Sequence, residues 1–462
     1  MKIKMFQFLG RMSVSMVSRL RRLMIFIDGL VTYRVWRMPS AIDELNIRLS
    51  GIGINSIRNN QQDYTKMWHL TDMEQVKGEY HSAVTRRIEI MESLYSKCGY
   101  LNDEYFPPIL GTSWVSNFGH LGVLGTHVLA EKLSLIPNGV RTIVTGVDFP
   151  NKQMLEIASG KYNLIHHANG NRWTEMPSFW PISERLQTIR LSDRFVGADE
   201  FMNMTFKNLE LEGDKNLYMT LPSEYIEKSR QKLFEFGLDE SSKFVALHLR
   251  ESMKKGDPRT QTNASYASAI YALLERGIWV IKIGDSNESK MIEHPKYIDL
   301  TKLDYKTNTL HPFILAKCMF FIATPSGPSL VAKLFGTPTL LTNTTEVGSS
   351  VTCSSTGSIY LPRTWSNYSG QKLSLTELFE SKLSYAPSDP NILKSKSIKC
   401  TPNTSDEIFE ATMEILNFVE SKSINLSKYA VQVDLIREYF KAPGTGNFSN
   451  TYLEKNNSWF CK

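Results

Sequence analysis

Downstream of residue 236 the chain alternates between short runs that are apolar throughout and longer stretches whose apolar residues return every three or four positions. Residues 244–249 are nearly all apolar and are bounded by polar ones, the pattern of a strand buried on both faces in a parallel sheet. Residues 264–276 have helical spacing and stop at Gly277, which suits a left-handed cap. Residues 278–283 form a second buried run ending in Gly284-Asp285, so the three segments predict one strand-helix-strand unit. The alternation continues with strands over 297–300, 319–323 and 339–341 and helices over 312–317 and 329–335. Upstream, Ile109-Leu110, a glycine-rich loop over 117–122 and an amphipathic helix open an earlier unit of the same kind. A strand over 141–145, a helix over 152–158 and a strand over 162–165 complete it. Residues 343–403, rich in Ser and Thr, read mostly as irregular connections. Residues 405–419 read as an amphipathic helix with Asp406 and Glu407 in its first turn, favourable for the helix dipole.

The fold class predicted is α/β, with two Rossmann-like domains facing a cleft. The boundaries are an N-terminal arm over 1–40, a helical lead-in over 41–104, a first α/β domain over 105–235, a second over 236–400 and a closing helical segment over 401–462. At 462 residues the chain is long enough for two or three domains, and 42% hydrophobic with 22% charged residues is the composition of a folded chain. It shows no repeat of solenoid length and no low-complexity segment.

Charge changes this picture at one end only. Residues 1–40 hold eight Lys or Arg and one Asp, a local charge of +7 against +6 for the whole chain, so everything after Ser40 carries about −1. A general nucleic-acid-binding surface is therefore not indicated. Wound as a helix, the arm places Met16, Leu20, Leu23, Met24, Ile27 and Val31 on one face and Ser15, Ser18, Arg19 and Arg22 on the other. That pattern predicts an in-plane anchor on an anionic membrane surface, the alternative being a helix docked on the protein's own core. Its longest apolar run, 23–27, falls far short of the roughly twenty residues a spanning helix needs. Asp28 interrupts any signal-peptide core. Five scattered cysteines with no Cys-x-x-Cys pair argue against structural zinc and a disulfide framework, and for a reducing compartment. The expected location is cytoplasmic, at the inner face of the cytoplasmic membrane. The Asn-x-Ser/Thr triplets at Asn203, Asn343 and Asn403 read as chance in a chain rich in Asn and Ser.

Candidate chemistry gathers at strand ends, where open parallel sheets bind ligands. His248 and Arg250 close the strand over 244–249 two residues apart, and Lys282 and Asp285 close the next. Arg250, Lys282 and Asp285 are placed to meet a phosphorylated ligand, while His248 can equally be a satisfied core histidine. Ser326, Gly327 and Ser329 offer hydroxyls and backbone N–H groups at the start of a helix, an end that binds phosphate without a metal. Pro328 fits that first turn because its missing N–H costs nothing there. In the loop over 117–122 the glycines let the backbone approach a ligand. His120 can take a proton from an attacking hydroxyl near neutral pH, can bind substrate, or can merely hold the loop. His166 and His167 are adjacent on a strand and so point to opposite faces, which disfavours a shared metal; one of them can line the cleft. The aromatic stretch over 173–180 reads as a sugar- or lipid-stacking wall or as core.

Four pieces in this order, His248-Leu-Arg-Glu251, the loop over 263–266, the strand end over 279–285 and the run over 320–338, resemble bacterial surface-polysaccharide glycosyltransferases. More distantly, the His-x-Arg strand end is similar to that of GT-B-fold fucosyltransferases. The similarity is clear over 236–345 and fainter over 108–150 and the last sixty residues. One departure is Lys282, where the family pattern has Arg, which keeps the charge and loses the bidentate fork. The resemblance implies a GT-B-like glycosyltransferase whose second domain binds a nucleotide sugar and whose first takes a lipid-linked or oligosaccharide acceptor. It maps a Gly-His pair onto Gly119 and His120, and sends the closing helices back across the first domain. In that scheme Arg250 and the Ser326-Gly327 end neutralise the departing diphosphate, and His120 is the general base of an inverting transfer. His248, Asn263, Lys282, Asp285 and Ser329 hold the donor, and Asn117, Gly119 and His167 line the acceptor side. No Asp-x-Asp motif is present, so no metal and no cofactor are expected. The rival readings are a nucleotide-sugar epimerase, a non-catalytic assembly protein and a eukaryotic secretory-pathway transferase.

Overall fold

The computed structural model describes residues 71, 74, 80–97, 109–110, 115, 118–138, 141–145, 151–160, 162–166, 188–191, 194–250, 261, 263–284, 292–303, 309–345, 347–348, 357–383, 390–421, 429–442 and 446–457. The basic arm over 1–40 and the aromatic stretch over 173–180 lie outside them. Among the described residues no helix is long and apolar enough to cross a membrane.

Helix α1 (Tyr80–Lys97) precedes a parallel sheet in the order β1 (Ile109–Leu110), β2 (Arg141–Thr145), β3 (Tyr162–His166). Its crossovers are α2 (Phe118–Lys132) and α3 (Lys152–Ser159). Asn151 starts α3 by accepting a hydrogen bond from Met154 N at 2.8 Å, the side-chain cap that orphan N–H groups need. An antiparallel pair, β4 (Thr188–Arg190) and β5 (Phe195–Gly197), receives α1 so closely that a Cβ on Gly197 would stand 2.9 Å from Val84 Cγ1. Helix α4 (Ala198–Glu212) stops at Gly213, which has a φ of 65° and returns its N–H to Leu209 O. Helix α5 (Ser223–Phe234) then carries the chain to the second sheet.

That sheet begins with β6 (Phe244–His248), α6 (Ala267–Glu275), β7 (Trp279–Lys282) and β8 (Tyr297–Asp299). It continues through α7 (His311–Lys317), β9 (Phe321–Ala323), α8 (Gly327–Leu334), β10 (Thr339–Thr344) and β11 (Ile359–Pro362). A side ribbon pairs β12 (Thr364–Asn367) antiparallel with β13 (Ile398–Thr401), with α9 (Leu375–Glu380) and α10 (Pro390–Ser395) between them. Helices α11 (Ser405–Ser421) and α12 (Ala430–Tyr439), strand β14 (Asn447–Phe448) and α13 (Asn450–Lys455) end the described chain. Across the sheet the order is β14-β11-β10-β9-β6-β7-β8, and every neighbouring pair is parallel. The α/β class expected from the apolar pattern is therefore the architecture observed. Val245, Ala246 and Leu247 in β6 have no exposed surface, and each buried branched aliphatic contributes about 2 kcal/mol.

The connection order decides where a ligand can sit. From β6 the chain steps outward to β7 and β8, then returns to lay β9 on the opposite flank of β6 before moving on to β10 and β11. Such a reversal leaves a crevice at the carboxyl ends of the two strands that flank it. Those ends carry His248 to Arg250 and Thr324 to Gly327.

Two expectations change. Residues 343–403 are not mainly irregular: they supply β11, the side ribbon and two short helices. The closing segment joins the second sheet as well as reaching back to the first half of the chain, where the Phe440 backbone bonds His81 and Asp434 lies near Lys207. Strand β14 pairs with β11, and α11 packs on α6, β10 and β11.

A buried polar network holds that closing segment in place. Asn343 has a φ of 55°, a left-handed conformation that Asn tolerates, and it sits where the β10–β11 register shifts. Its N–H donates to Asn403 Oδ1 at 2.6 Å while Asn403 N–H donates to Asn343 Oδ1 at 2.8 Å. Asn403 Nδ2 donates to Pro362 O at 2.7 Å, and Asn343 Nδ2 to the Tyr266 hydroxyl at 3.1 Å. Asn343 and Asn403 are 0% and 3% exposed, so in the folded chain neither triplet is open to glycosylation. Asn403→Ala strands several of these groups without solvent and is expected to lower stability by about 3 kcal/mol, read from urea midpoints. A change below roughly 1 kcal/mol would show that the network is not a fastener.

Candidate functional site

The chain that ends β6 and the chain that ends β9 are stitched together. Thr324 N–H donates to His248 O at 3.2 Å, and Arg250 N–H donates to Thr324 Oγ1 at 3.0 Å. Ser326 occupies the N-cap of α8 in extended conformation, but its hydroxyl makes no capping bond. It donates instead to Thr324 O at 2.9 Å and lies 3.1 Å from His248 Nδ1. With the hydroxyl proton committed to a carbonyl, Nδ1–H donates to Ser326 Oγ, and His248 Nε2 keeps a lone pair for a ligand hydroxyl. Ser329 Oγ donates to Ser326 O at 2.7 Å, which ties down the first turn.

The first sheet reaches this end through α2. Gly119, Gly122 and Gly125 do not form a loop: they lie inside α2, on the face that meets α8. A Cβ on Gly327 would lie 2.5 Å from Gly119 N, and one on Gly122 would lie 2.7 Å from Leu330 Cβ. One on Gly125 would run into Leu334 Cδ1. Gly119 meets Gly327, Gly122 meets Leu330 and Gly125 meets Leu334, so the two helices run parallel with their amino ends together. Near their carboxyl ends Met219 N–H donates to Leu334 O at 2.9 Å, and Lys132 Nζ donates to Tyr218 O at 3.2 Å.

Two positive helix ends thus meet beside a group of bases. Burial, then His311, Arg250 and Lys282, push His248 down to about 4. Burial alone pushes His311 down to about 4. His311 opens α7, and its ring stands edge-on to Phe118 with centroids 6.1 Å apart. Both imidazoles are neutral near pH 7, and an anion in the crevice would favour their protonated forms. Gly284, with a φ of 137°, lets the chain turn past the imidazole: a Cβ there would stand 3.2 Å from His248 Cδ2.

The sequence candidates separate accordingly. His248, Arg250, Ser326 and Gly327 share the crevice at the β6/β9 switch, with Ser329 in the adjoining helical turn. His120 follows Gly119 and is half-buried, one residue from the Gly119–Gly327 contact. Gly119 is itself a packing residue, because its backbone fills the space against Gly327. Asn263 opens the short turn Asn263–Tyr266 that precedes α6. Lys282 does not line the crevice: it is 0% exposed, with Nζ 4.0 Å from Asp299 Oδ2, because β7 is an inner strand flanked by β6 and β8. Its charge acts on the site through the field it exerts on His248. Asn117, His167 and Asp285 lie outside the described residues. Sequence reasoning missed His311, whose only local signal is Pro312, a first-turn residue that says nothing of what the imidazole faces. Among the described residues no three His, Cys, Asp or Glu side chains are grouped to hold a metal ion.

No protein-family model matches the chain, and no curated protein matches it in sequence. Among solved structures it is similar to a glycosyl transferase family 9 protein from Veillonella parvula, with a TM-score of 0.40, 12% identity, and coverage of 64% of this chain and 94% of that one. It is also similar to the ADP-heptose lps heptosyltransferase II of E. coli (TM-score 0.33, 10% identity, 50% and 83% covered). A third is a UDP-GlcNAc 2-epimerase from Neisseria meningitidis (TM-score 0.24, 11% identity, 82% and 80% covered).

Proposed function

We propose that the chain is a GT-B-like glycosyltransferase that binds the diphosphate of a nucleotide sugar at the β6/β9 switch point. The sugar passes to a lipid-linked or oligosaccharide acceptor in the assembly of bacterial surface polysaccharide. The observation that carries this reading is the convergence of the Arg250 backbone, whose residue's charge is felt at His248, with the Ser326–His248 pair and the amino end of α8 at the carboxyl edge of one parallel sheet. A cation and a helix amino end fixed in advance suit a leaving group whose negative charge grows as the bond from the sugar carbon to phosphate oxygen breaks. The acceptor hydroxyl attacks that carbon from the opposite face and inverts it. His120, on the helix that abuts the diphosphate end, takes the hydroxyl proton. Because Arg250 and the helix end supply the positive charge, this reading needs no metal. The arm over 1–40 would hold the enzyme on an anionic membrane surface beside its acceptor, with binding that weakens as salt rises.

A panel of nucleotide sugars screened by thermal shift tests the reading, since a ligand that binds only the folded chain raises its melting temperature. At least one is expected to raise it, and Arg250→Ala is expected to abolish the rise. No shift from any member, or an Arg250→Ala shift equal to wild type, would sink it. Conversion of the stabilising donor to its epimer without acceptor would replace the transferase by an epimerase.

A further inference from the structure

His311 has no use in the scheme so far, yet it occupies an expensive position. It is 8% exposed, and its Nε2 has no hydrogen-bond partner among the described residues. A buried polar nitrogen left without a partner destabilises the fold, and no described group around this one compensates. Its surroundings define what would. The ring stands against Phe118, the first residue of α2, and Phe118 C would lie 3.4 Å from a Cβ on Gly327, the first residue of α8. The imidazole therefore sits where the two helix amino ends meet, and its field reaches His248. Among the described residues, the charged and titratable groups around that meeting point are His120, His248, Arg250 and Lys282, the last with Asp299 at its ammonium. Lys333, on the helix that packs against α7, is turned to the Tyr360 hydroxyl at 2.7 Å. This described set is basic, which suits an anion rather than a cation as the partner of Nε2.

We propose that His311 is a ligand-binding residue of this site, donating from Nε2–H to an oxygen of the bound diphosphate. The assignment rests on the nucleotide-sugar reading above and adds to it a residue supplied by α7 rather than by either strand end. Donation requires only the neutral ring with its proton on Nε2, so it operates at pH 7. It also explains why an unpartnered imidazole is kept where a leucine would fill the space at no polar cost.

Calorimetric titration of the full chain with inorganic pyrophosphate at pH 7.5 tests this, with melting temperatures of the ligand-free proteins measured alongside. Wild type is expected to bind. His311→Leu is expected to weaken binding at least tenfold while its melting temperature stays level or rises. His311→Gln, whose amide nitrogen can take the place of Nε2, should keep most of the affinity. Pyrophosphate binding by His311→Leu as tight as wild type, while Arg250→Ala loses it, overturns the assignment of His311 and leaves the site reading standing. A His311→Leu chain that melts several degrees lower or does not fold shows the ring to be structural, which also overturns it. Absence of binding by wild type removes both readings together.

Discussion

Gly327→Ala is expected to lower unfolding stability by about 3 kcal/mol or more, at the upper end of what one methyl group forced into a packed interior costs. The new Cβ would stand 2.5 Å from Gly119 N, and backbone in the first turn of a helix cannot rotate away as a side chain can. Gly122→Ala meets Leu330 Cβ at 2.7 Å and Val331 N at 3.3 Å, also close to the helix axis, and belongs to the same class. Gly125→Ala is the informative contrast. Its neighbours are the methyl ends of Leu334 and Met219, which can shift, so its cost is expected near 1 kcal/mol. Urea denaturation of the three variants checks the ranking. Equal costs at 125 and 327 would mean that α2 and α8 are not in backbone contact. The same experiment bears on the site, because any separation of the two helices also separates Gly119 from the amino end of α8.

Acid is expected to unfold this protein over a window set by two histidines. His248 and His311 are both held down to about 4, whereas an exposed histidine titrates near 6.5. Between those values the unfolded chain binds protons that the native chain refuses, so unfolding becomes easier as pH falls. The contribution is complete above about 6.5 and lost by about 4, and amounts to about 3 kcal/mol for each ring. Urea midpoints from pH 7.5 to 4.5 should therefore drop steeply, and the slope should be roughly halved in His311→Leu. A midpoint that stays level between pH 7 and 5 would show that neither ring is buried as described. Saturating pyrophosphate should flatten the curve, since an anion at the site raises both histidines.

The second sheet was readable in the sequence because its inner strands are apolar on both faces. The runs at 244–249, 278–283 and 319–323 are too short for helices and too uniform for surface strands, and Gly277 closes α6 with a φ of 77° as its position implies. Strand β11 was not readable. Ile359–Pro362 is four residues long among Ser and Thr, and only its seat between β10 and β14 makes it a strand. Gly119, Gly122 and Gly125 show the other limit. A spacing of three fits a flexible phosphate loop as well as the packing face of a helix, and the partner that decides between them lies two hundred residues away. Lys282 and His311 changed places for a related reason. The charge at a strand end drew attention and was turned inward to Asp299, while the imidazole beside Pro312 had no local mark.

The alignment of α2 beside α8 has a consequence for how a ligand arrives. Antiparallel neighbours cancel each other's dipoles, whereas these two point the same way and their fields add at a single mouth, with Arg250 close by. A potential of that kind steers a multivalent anion before any contact forms, over a reach of about 8 Å at physiological ionic strength. On the proposed reading, the burden of selecting a donor therefore falls on the dissociation step: capture would be fast for any molecule bearing adjacent phosphates, and the sugar and base would determine only how long it stays.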